Sequence, residues 1–398
     1  MMDKRSLINL VKYNRHLYNL YFQIGSFAVK LVGKFVRKKN NLIVFSSFGG
    51  RKYDDSPRCI YEAMLNDSRF GNYEFVWALG NPDAFDIPGA KKVKCDTFEY
   101  YRTLLSAAVW VTNSTMERGL SFKPSHIFNF NTWHGTAIKL MGCDISKENT
   151  SFGSKGKENH TDVMLAQGQY DVDIFSRVFG VPVENFRVIG LPRNDELVNC
   201  NTEENRKRIR KQLGIQHGKK VILYAPTFRE YDKDSSLNCQ LCVPIDLKKW
   251  NHKLADEYVL LIRAHYEVVK MMKFEENDFV KNVSSYPNLN ELMIVSDLLV
   301  SDYSSIFFDY SVQDKPMLCF AYDYEKYSSL RGMYFDIRVK LEGNSVNEDQ
   351  LIEAITRLDT EKAIEITRRF RNEFIDKSGS ASKQSAEIIW KYLNGMNY

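Results

Sequence analysis

The sequence predicts an α/β protein built as two halves, each with its own parallel sheet, preceded by a basic helical arm. Three observations predict it. From residue 42 onward, short runs rich in Val, Ile, Leu, Phe and Trp alternate with helix-periodic stretches, the pattern of right-handed βαβ units. The pattern pauses near residue 200 in a charged stretch and restarts at Lys219. The chain is 398 residues long with 44% apolar and 26% charged residues, enough for two or three domains that each bury a core. Gly (21) and Pro (10) are too few for a collagen-like or low-complexity chain. Seven scattered cysteines, an odd number, argue against a secreted disulfide scaffold and for a reducing compartment.

The arm, residues 1–40, holds nine Lys and Arg against Asp3 alone, a charge of +8, whereas the remaining 358 residues carry −3. A nucleic-acid binder carries its positive charge on the folded body, so no nucleic-acid partner is expected. The longest stretch of the arm without Lys, Arg, Asp or Glu is His16–Val29, 14 residues interrupted by Asn19, Gln23 and Ser26. A membrane span needs about 20 mostly apolar residues, and the basic charge beyond the stretch does not suit a signal peptide. Leu10, Val11, Leu17, Tyr18, Tyr21, Phe22, Ile24, Phe27, Leu31, Phe35 and Val36 recur at spacings of three and four, which is helix periodicity. Apolar and aromatic residues with basic flanks suit a helix lying on an anionic membrane surface. The competing expectation is a helix packed on the body with its Lys and Arg in solvent.

In the first half, Leu42–Phe48 reads as a buried strand ending in Gly49-Gly50. Phe75–Leu79 reaches a turn at Gly80-Asn81-Pro82, and Ala108–Asn113 reaches a loop. Ile127–Trp133 leads into His134-Gly135, and Val163–Ala166 and Arg187–Gly190 continue the series. Residues 200–218 read as a charged connecting helix. In the second half, Lys220–Ala225 ends at Pro226-Thr227, Tyr258–Arg263 at His265, Asp297–Asp302 at Tyr303, and Pro316–Phe320 closes the set. Residues 304–312 read as helix, and 347–396 as helix broken near Ser378-Gly379-Ser380. The polar stretches 144–161 and 229–240 read as mobile loops.

Ligands of open α/β sheets sit beyond the carboxyl ends of strands, so two halves predict a central cleft lined by strand-end residues. Ser301-Asp302-Tyr303-Ser304-Ser305-Ile306-Phe307-Phe308-Asp309 joins a buried strand, two serines and an apolar helix. A helix start offers N–H groups that suit a phosphate, although serines there also serve as plain caps. Arg263, His265, Thr227 and Arg229 fall at neighbouring strand ends, and cations and hydroxyls gathered on one edge suit a pyrophosphate. Asp309 is placed to accept from a sugar hydroxyl or to orient the serines. Gly135 permits a tight turn, and His134 beside it is a candidate general base or a structural histidine. Arg193, in Gly190-Leu191-Pro192-Arg193-Asn194-Asp195, either contacts an anion or pairs with Asp195. Cys239 and Cys242 form a CxxC with no second pair, and zinc needs two further ligands. There is no GxGxxG, Walker A or GxSxG pattern.

Taken together, Thr132-Trp133-His134-Gly135-Thr136, the Gly190–Asp195 motif, Leu223-Tyr224-Ala225-Pro226-Thr227-Phe228-Arg229, the Ser301–Asp309 motif, Lys315-Pro316-Met317 through Phe320-Ala321-Tyr322-Asp323, and Arg331-Gly332-Met333-Tyr334-Phe335-Asp336 occur in that order. The combination resembles the CDP-glycerol glycerophosphotransferase family of teichoic-acid synthesis, strongly over residues 100–340. The resemblance implies a GT-B-like fold of two Rossmann-like domains: an acceptor-side domain at 41–200, a CDP-donor domain at 201–375, and a C-terminal helix at 376–398 crossing back to the first. It also implies peripheral attachment to the cytoplasmic face of the cell membrane. The reaction implied moves glycerol phosphate, or a related polyol phosphate, from CDP-glycerol or CDP-ribitol to a hydroxyl of a lipid-linked or polymeric saccharide or polyol-phosphate acceptor, releasing CMP. It implies no cofactor, and leaves metal dependence open.

Carried over residue by residue, the resemblance makes His134 the base that takes the acceptor proton. It makes His265, with Arg263, a second catalytic histidine on the donor pyrophosphate. Ser304 and Ser305 would hold phosphates with Asp309 nearby, and Gly135, Thr136, Arg193, Pro226 and Thr227 fall in substrate-binding motifs. Two departures stand out. Tyr266-Glu267 follows His265 where the family carries proline, and Ala137 stands where proline is common. The loop 144–161 is expected to meet the acceptor. The alternatives are a nucleotide-sugar glycosyltransferase of the same architecture and a catalytically silent membrane scaffold.

Overall fold

The computed structural model describes residues 14–145, 160–227, 229, 244–264, 276–342 and 345–398. His265, Cys239, Cys242 and the greater part of the 144–161 and 229–240 stretches therefore lie outside the described residues. The chain divides into two units. The first comprises residues up to Gly135, Met141–Asp195 and Asp376–Tyr398, and the second comprises Thr136–Leu140 and Glu196–Ile375.

The first unit opens with helix α1 (Arg15–Gly33), whose N-terminus Asn14 caps by accepting from the His16 and Leu17 N–H groups. Then come β1 (Leu42–Ser46), α2 (Asp55–Leu65), β2 (Glu74–Leu79), β3 (Lys91–Lys94), α3 (Phe98–Ser106), β4 (Val109–Thr112), β5 (Phe128–Asn131), β6 (Val163–Ala166), α4 (Gln169–Phe179) and β7 (Phe186–Val188). The seven strands form one sheet in the order β3-β2-β1-β4-β5-β6-β7, and every pairing is parallel. Successive side chains of a strand point to opposite faces, and both faces are covered. Ile43 and Phe45 join a core with Ile60, Tyr61 and Met64 of α2. Leu42 and Val44 join another with Tyr100 and Leu104 of α3 and Val29 and Val32 of α1. That two-sided burial explains why β1 reads as a continuous apolar run.

The second unit contains α5 (Glu203–Gln212), β8 (Lys220–Ala225), α6 (Leu247–Leu254), β9 (Tyr258–Ile262), β10 (Val280–Asn282), α7 (Leu289–Val295), β11 (Leu298–Ser301), α8 (Ile306–Ser311), β12 (Met317–Cys319), α9 (Tyr324–Arg331), α10 (Glu348–Thr356) and α11 (Thr360–Phe374). Its sheet runs β10-β9-β8-β11-β12, again parallel throughout. Ile222, Leu260 and Ile262 pack with Trp250 of α6 and with Leu351 and Ile355 of α10. The last helix, α12 (Ala381–Leu393), belongs to the first unit. Asp195 anchors its start by accepting from the Ala381 and Ser382 N–H groups at 3.0 and 2.7 Å. The chain arrives through Asp376, whose N–H donates to the Gln167 carbonyl at 2.8 Å.

Helix α1 is docked on the first unit by one face. Tyr18 and Tyr21 donate to the Gly119 and Arg118 carbonyls at 3.3 and 3.2 Å, and the Ser121 N–H donates to Ser26 Oγ at 2.9 Å. Its other face leaves Leu17, Leu20, Ile24, Phe27 and Leu31 exposed, with Phe35 just beyond; Phe27 is 69% and Phe35 84% exposed. Among the described residues no helix is long and apolar enough to cross a membrane.

Candidate active site

The order of the first sheet reverses between β1 and β4, the topological switch point at which open sheets bind ligands. Beyond β1, Phe48, Gly49 and Gly50 have φ of 51°, 65° and 85°, a left-handed run that turns the chain sharply. A Cβ on Gly50 would lie 2.6 Å from Cys95 Sγ and 3.2 Å from both the Ala78 carbonyl oxygen and the Gly80 nitrogen. Beyond β4, Asn113 and Ser114 hold this turn. Asn113 Oδ1 accepts from the Phe48 N–H at 2.7 Å, and Ser114 Oγ from the Gly49 N–H at 3.0 Å. The Asn113 side-chain nitrogen is buried and has no hydrogen-bond partner among the described residues.

His134 follows β5 at this same edge. Its Nδ1 lies 2.7 Å from the Asn113 carbonyl oxygen. A carbonyl only accepts, so Nδ1 carries the proton and the lone pair resides on Nε2. The ring lies against Trp133, with centroids 3.9 Å apart, and against Phe48 at 5.7 Å. Burial pushes the imidazole below its usual 6.5; the Asn113 hydrogen bond and Asp55 oppose this, while Arg193 and Arg51 reinforce it. The neutral ring is a proton acceptor at physiological pH.

Arg193 does not pair with Asp195, which is committed to α12. Its Nη1 lies 2.9 Å from Asp55 Oδ2 and donates to the His134 carbonyl at 2.7 Å. Gly135 has φ of 139°, a value open chiefly to glycine. With the next bond the chain passes into the second unit, where Thr136 is buried. There the Tyr334 N–H donates to the Ile138 carbonyl at 2.8 Å and the Leu140 N–H to the Gly332 carbonyl at 3.2 Å.

The second sheet reverses between β8 and β11. Ser301 Oγ donates to the Ala225 carbonyl at 2.6 Å, and the Thr227 N–H, following Pro226, donates to Asp302 Oδ1 at 2.9 Å. Thr227 Oγ1 is buried without a partner among the described residues. Ser304 Oγ accepts from the Ile306 N–H at 3.3 Å, while Ser305 stands at the cap position with no side-chain cap bond. Helix α8 is only six residues long, and Asp309 is buried within it. Arg263 donates to the Val283 carbonyl at 2.9 Å and to the Tyr286 carbonyl, tying β9 to the segment after β10. The pyrophosphate role expected of Arg229 is not what its position supports. Arg229 is 1% exposed, paired with Asp302 at 2.9 Å and Asp323 at 2.8 Å, and lies over the rings of Tyr303, Tyr322 and Tyr327. It also donates to the Thr227 carbonyl at 2.7 Å. It holds the Thr227 turn from beneath.

The structure thus gathers His134, Gly135 and Arg193 at one sheet edge, and Pro226, Thr227, Ser304, Ser305 and Arg263 around the other sheet's carboxyl end. Sequence reasoning missed Asp55 and the double use of Asn113. The run Asp54-Asp55-Ser56-Pro57 carried the signal of a helix start, and Asp54 Oδ1 does accept from the Asp55 N–H at 2.8 Å.

Comparison with known proteins identifies the family. Residues 28–391 match the family described as CDP-Glycerol:Poly(glycerophosphate) glycerophosphotransferase. The chain is 33% identical over 378 residues to a teichoic acid glycerol-phosphate transferase of Staphylococcus aureus, covering 91% of this chain and 95% of that protein. It is 35% identical over 371 residues to a teichoic acid poly(glycerol phosphate) polymerase of Staphylococcus epidermidis, covering 89% of this chain but spanning only 51% of that protein. Among solved structures it is similar to the wall teichoic acid polymerase TagF, with a TM-score of 0.84 at 30% identity and 99% of each chain covered. The chain belongs to the CDP-glycerol:poly(glycerophosphate) glycerophosphotransferase family.

Proposed function

From that membership, we propose that the chain transfers glycerol phosphate from CDP-glycerol to an acceptor hydroxyl. The acceptor oxygen attacks the β-phosphorus and forms a new P–O bond, the bond to CMP breaks, and CMP leaves with the electron pair. The acceptor proton passes to His134 Nε2. The observation that carries this reading is the hydrogen bond from His134 Nδ1 to the Asn113 carbonyl, which leaves the basic nitrogen unprotonated. The donor-binding candidates of this reading are Thr227, whose Oγ1 is buried without a partner among the described residues, with Ser304, Ser305 and Arg263. TagF was soaked with CDPG, and the shared fold supports the same donor class here. Little covalent help is needed in phosphoryl transfer, so positioning and charge stabilisation dominate. His265 keeps its proposed role on the donor pyrophosphate as an expectation of the sequence.

The second part of the proposal is peripheral attachment to the cytoplasmic membrane face through α1. Its exposed apolar row, docked as a unit with the body and flanked by Lys30, Lys34, Arg37, Lys38 and Lys39, is the composition of an interfacial helix.

A donor panel with full-length protein and a lipid-linked acceptor tests the chemistry. CMP release from CDP-glycerol, with glycerol phosphate added to the acceptor by mass, is the expected result. CMP from CDP-ribitol alone moves the assignment to the ribitol donor. UDP from a UDP-sugar overturns it in favour of glycosyl transfer.

A further inference from the structure

We propose that Asp55 and Arg193 are positioning residues: a buried ion pair that holds the main chain of His134 so that Nε2 keeps one orientation toward the acceptor. This rests on the reading that His134 is the base, and it moves Arg193 from substrate contact to support.

The geometry carries it. One guanidinium nitrogen of Arg193 serves both the Asp55 carboxylate, at 2.9 Å, and the His134 carbonyl, at 2.7 Å. The Arg193 and Asp55 side chains are only 16% and 6% exposed. His134 is therefore tethered at two points to two different elements: its ring to the residue after β4, and its carbonyl, through Arg193, to the first turn of α2. Such a double tether fixes the direction of a side chain, which a single bond does not.

Backbone strain points to the same place. Phe48, Asp55 and Trp133 have φ of 51°, 63° and 48°. All three are non-glycine residues in the left-handed region, and all three bear on His134: two through ring contacts, one through Arg193. Unfavourable backbone persists where the surroundings over-determine it, and it clusters at working sites. Asp55 is held there by Asp54 and by its own Oδ1, which accepts from the Ser56 N–H at 2.6 Å. A buried ion pair by itself adds little net stability; here its contribution is direction.

The pair also sets the field at the ring. Among the described residues, the charged groups acting on the His134 ring are Asp55, Arg193 and Arg51. Removing Asp55 leaves two cations and disfavours the imidazolium.

The test uses the full chain with CDP-glycerol as donor. Asp55→Asn and Arg193→Lys are compared with wild type for kcat and donor KM across pH, for donor Kd by calorimetry, and for melting temperature. Asp55→Asn is expected to lower kcat by about 100-fold, the order that a misplacement of about 1 Å costs. It should leave donor Kd unchanged and move the acid limb of the kcat profile to lower pH. Arg193→Lys, which keeps the charge but reaches only one acceptor, should fall between Asp55→Asn and wild type. In a His134→Gln background, Asp55→Asn should cost nothing further. Wild-type kcat and an unmoved acid limb in Asp55→Asn, with His134→Ala inactive, overturn the brace alone. A raised donor KM with unchanged kcat in Arg193→Lys also overturns it and returns Arg193 to donor binding. Full activity in His134→Ala overturns the base reading itself. If Asp55→Asn does not fold, Arg193→Lys carries the same comparison.

Discussion

His134 Nδ1 sits 2.7 Å from the Asn113 carbonyl oxygen, and the two residues come from the ends of adjacent parallel strands. The tautomer of the base is thus set by main chain, which no side-chain substitution at position 113 removes. His134→Ala should lower turnover by the 10²–10⁴-fold typical of a lost general base while donor binding, measured by calorimetry, stays intact.

The pH dependence follows from the same contact. Burial holds the imidazole below 6.5, so the ring is neutral and competent above that value. Turnover should be flat through pH 7–8 and fall only as pH drops through the lowered folded value. An acid limb above pH 6.5 in the kcat profile would show that another group titrates.

Much of this was legible because buried parallel strands are continuous apolar runs; β6 and β8 sit where Val163–Ala166 and Lys220–Ala225 are read, and β1 covers Leu42–Ser46 of the run read as Leu42–Phe48. The two strands that escaped, β3 and β10, are sheet edges. In Lys91-Lys92-Val93-Lys94 only Val93 is buried, so no apolar run exists to read, and charged edges are how sheets avoid pairing with other chains. The stretch 347–396 divides into α10, α11 and α12; the break read near Ser378-Gly379-Ser380 falls just before α12, whose start Asp195 also holds. Strand-end residues were legible as a set, but their partners were not. Arg193 meets Asp55 across 138 positions, and nothing local distinguishes Arg229, sealed among tyrosines, from an arginine facing a ligand.

Arg229 gives the second unit its own test. Burial pulls the guanidinium down, and the Asp302 and Asp323 carboxylates more than offset it, so the group stays charged. Arg229→Met would remove the guanidinium that pairs with both carboxylates. Losing one member of a buried pair costs about 3–5 kcal/mol. The expected result is a lowered melting temperature together with weaker CDP-glycerol binding, since the Thr227 carbonyl loses its donor. Arg229→Lys keeps the charge without the planar fork and should recover only part of the stability.

Two glycines in the first unit separate backbone strain from steric conflict. Gly190 has φ of 87°, and a Cβ there would lie 2.5 Å from the Lys377 carbonyl oxygen, which is main chain and cannot swing aside. Gly180 has φ of 65° with nothing within 4 Å of its Cβ position. Gly180→Ala should cost about 1–2 kcal/mol, the left-handed penalty alone. Gly190→Ala should cost clearly more and loosen the entry to α12. Equal melting temperatures for the two variants would show that the 376–378 segment shifts freely.

The arm makes the last prediction. One face of α1 is spoken for: a Cβ on Gly25 would lie 2.8 Å from Leu120 Cδ2, so the helix approaches the body as closely as glycine allows. The exposed row is not used by the fold, and polar substitutions there should leave the melting temperature unchanged. If that row enters a lipid interface, each large side chain buried there contributes up to about 1.5–3 kcal/mol. Phe27→Ser with Phe35→Ser should then reduce binding to anionic vesicles by an order of magnitude or more in a sedimentation assay. Neutral vesicles should bind wild type more weakly, because the basic flank gains about 1 kcal/mol per residue only from anionic lipid, and added salt should erode that difference. Unchanged vesicle binding in the double variant would assign the exposed row another purpose. A loss of binding accompanied by a lowered melting temperature would instead show that these residues support the body.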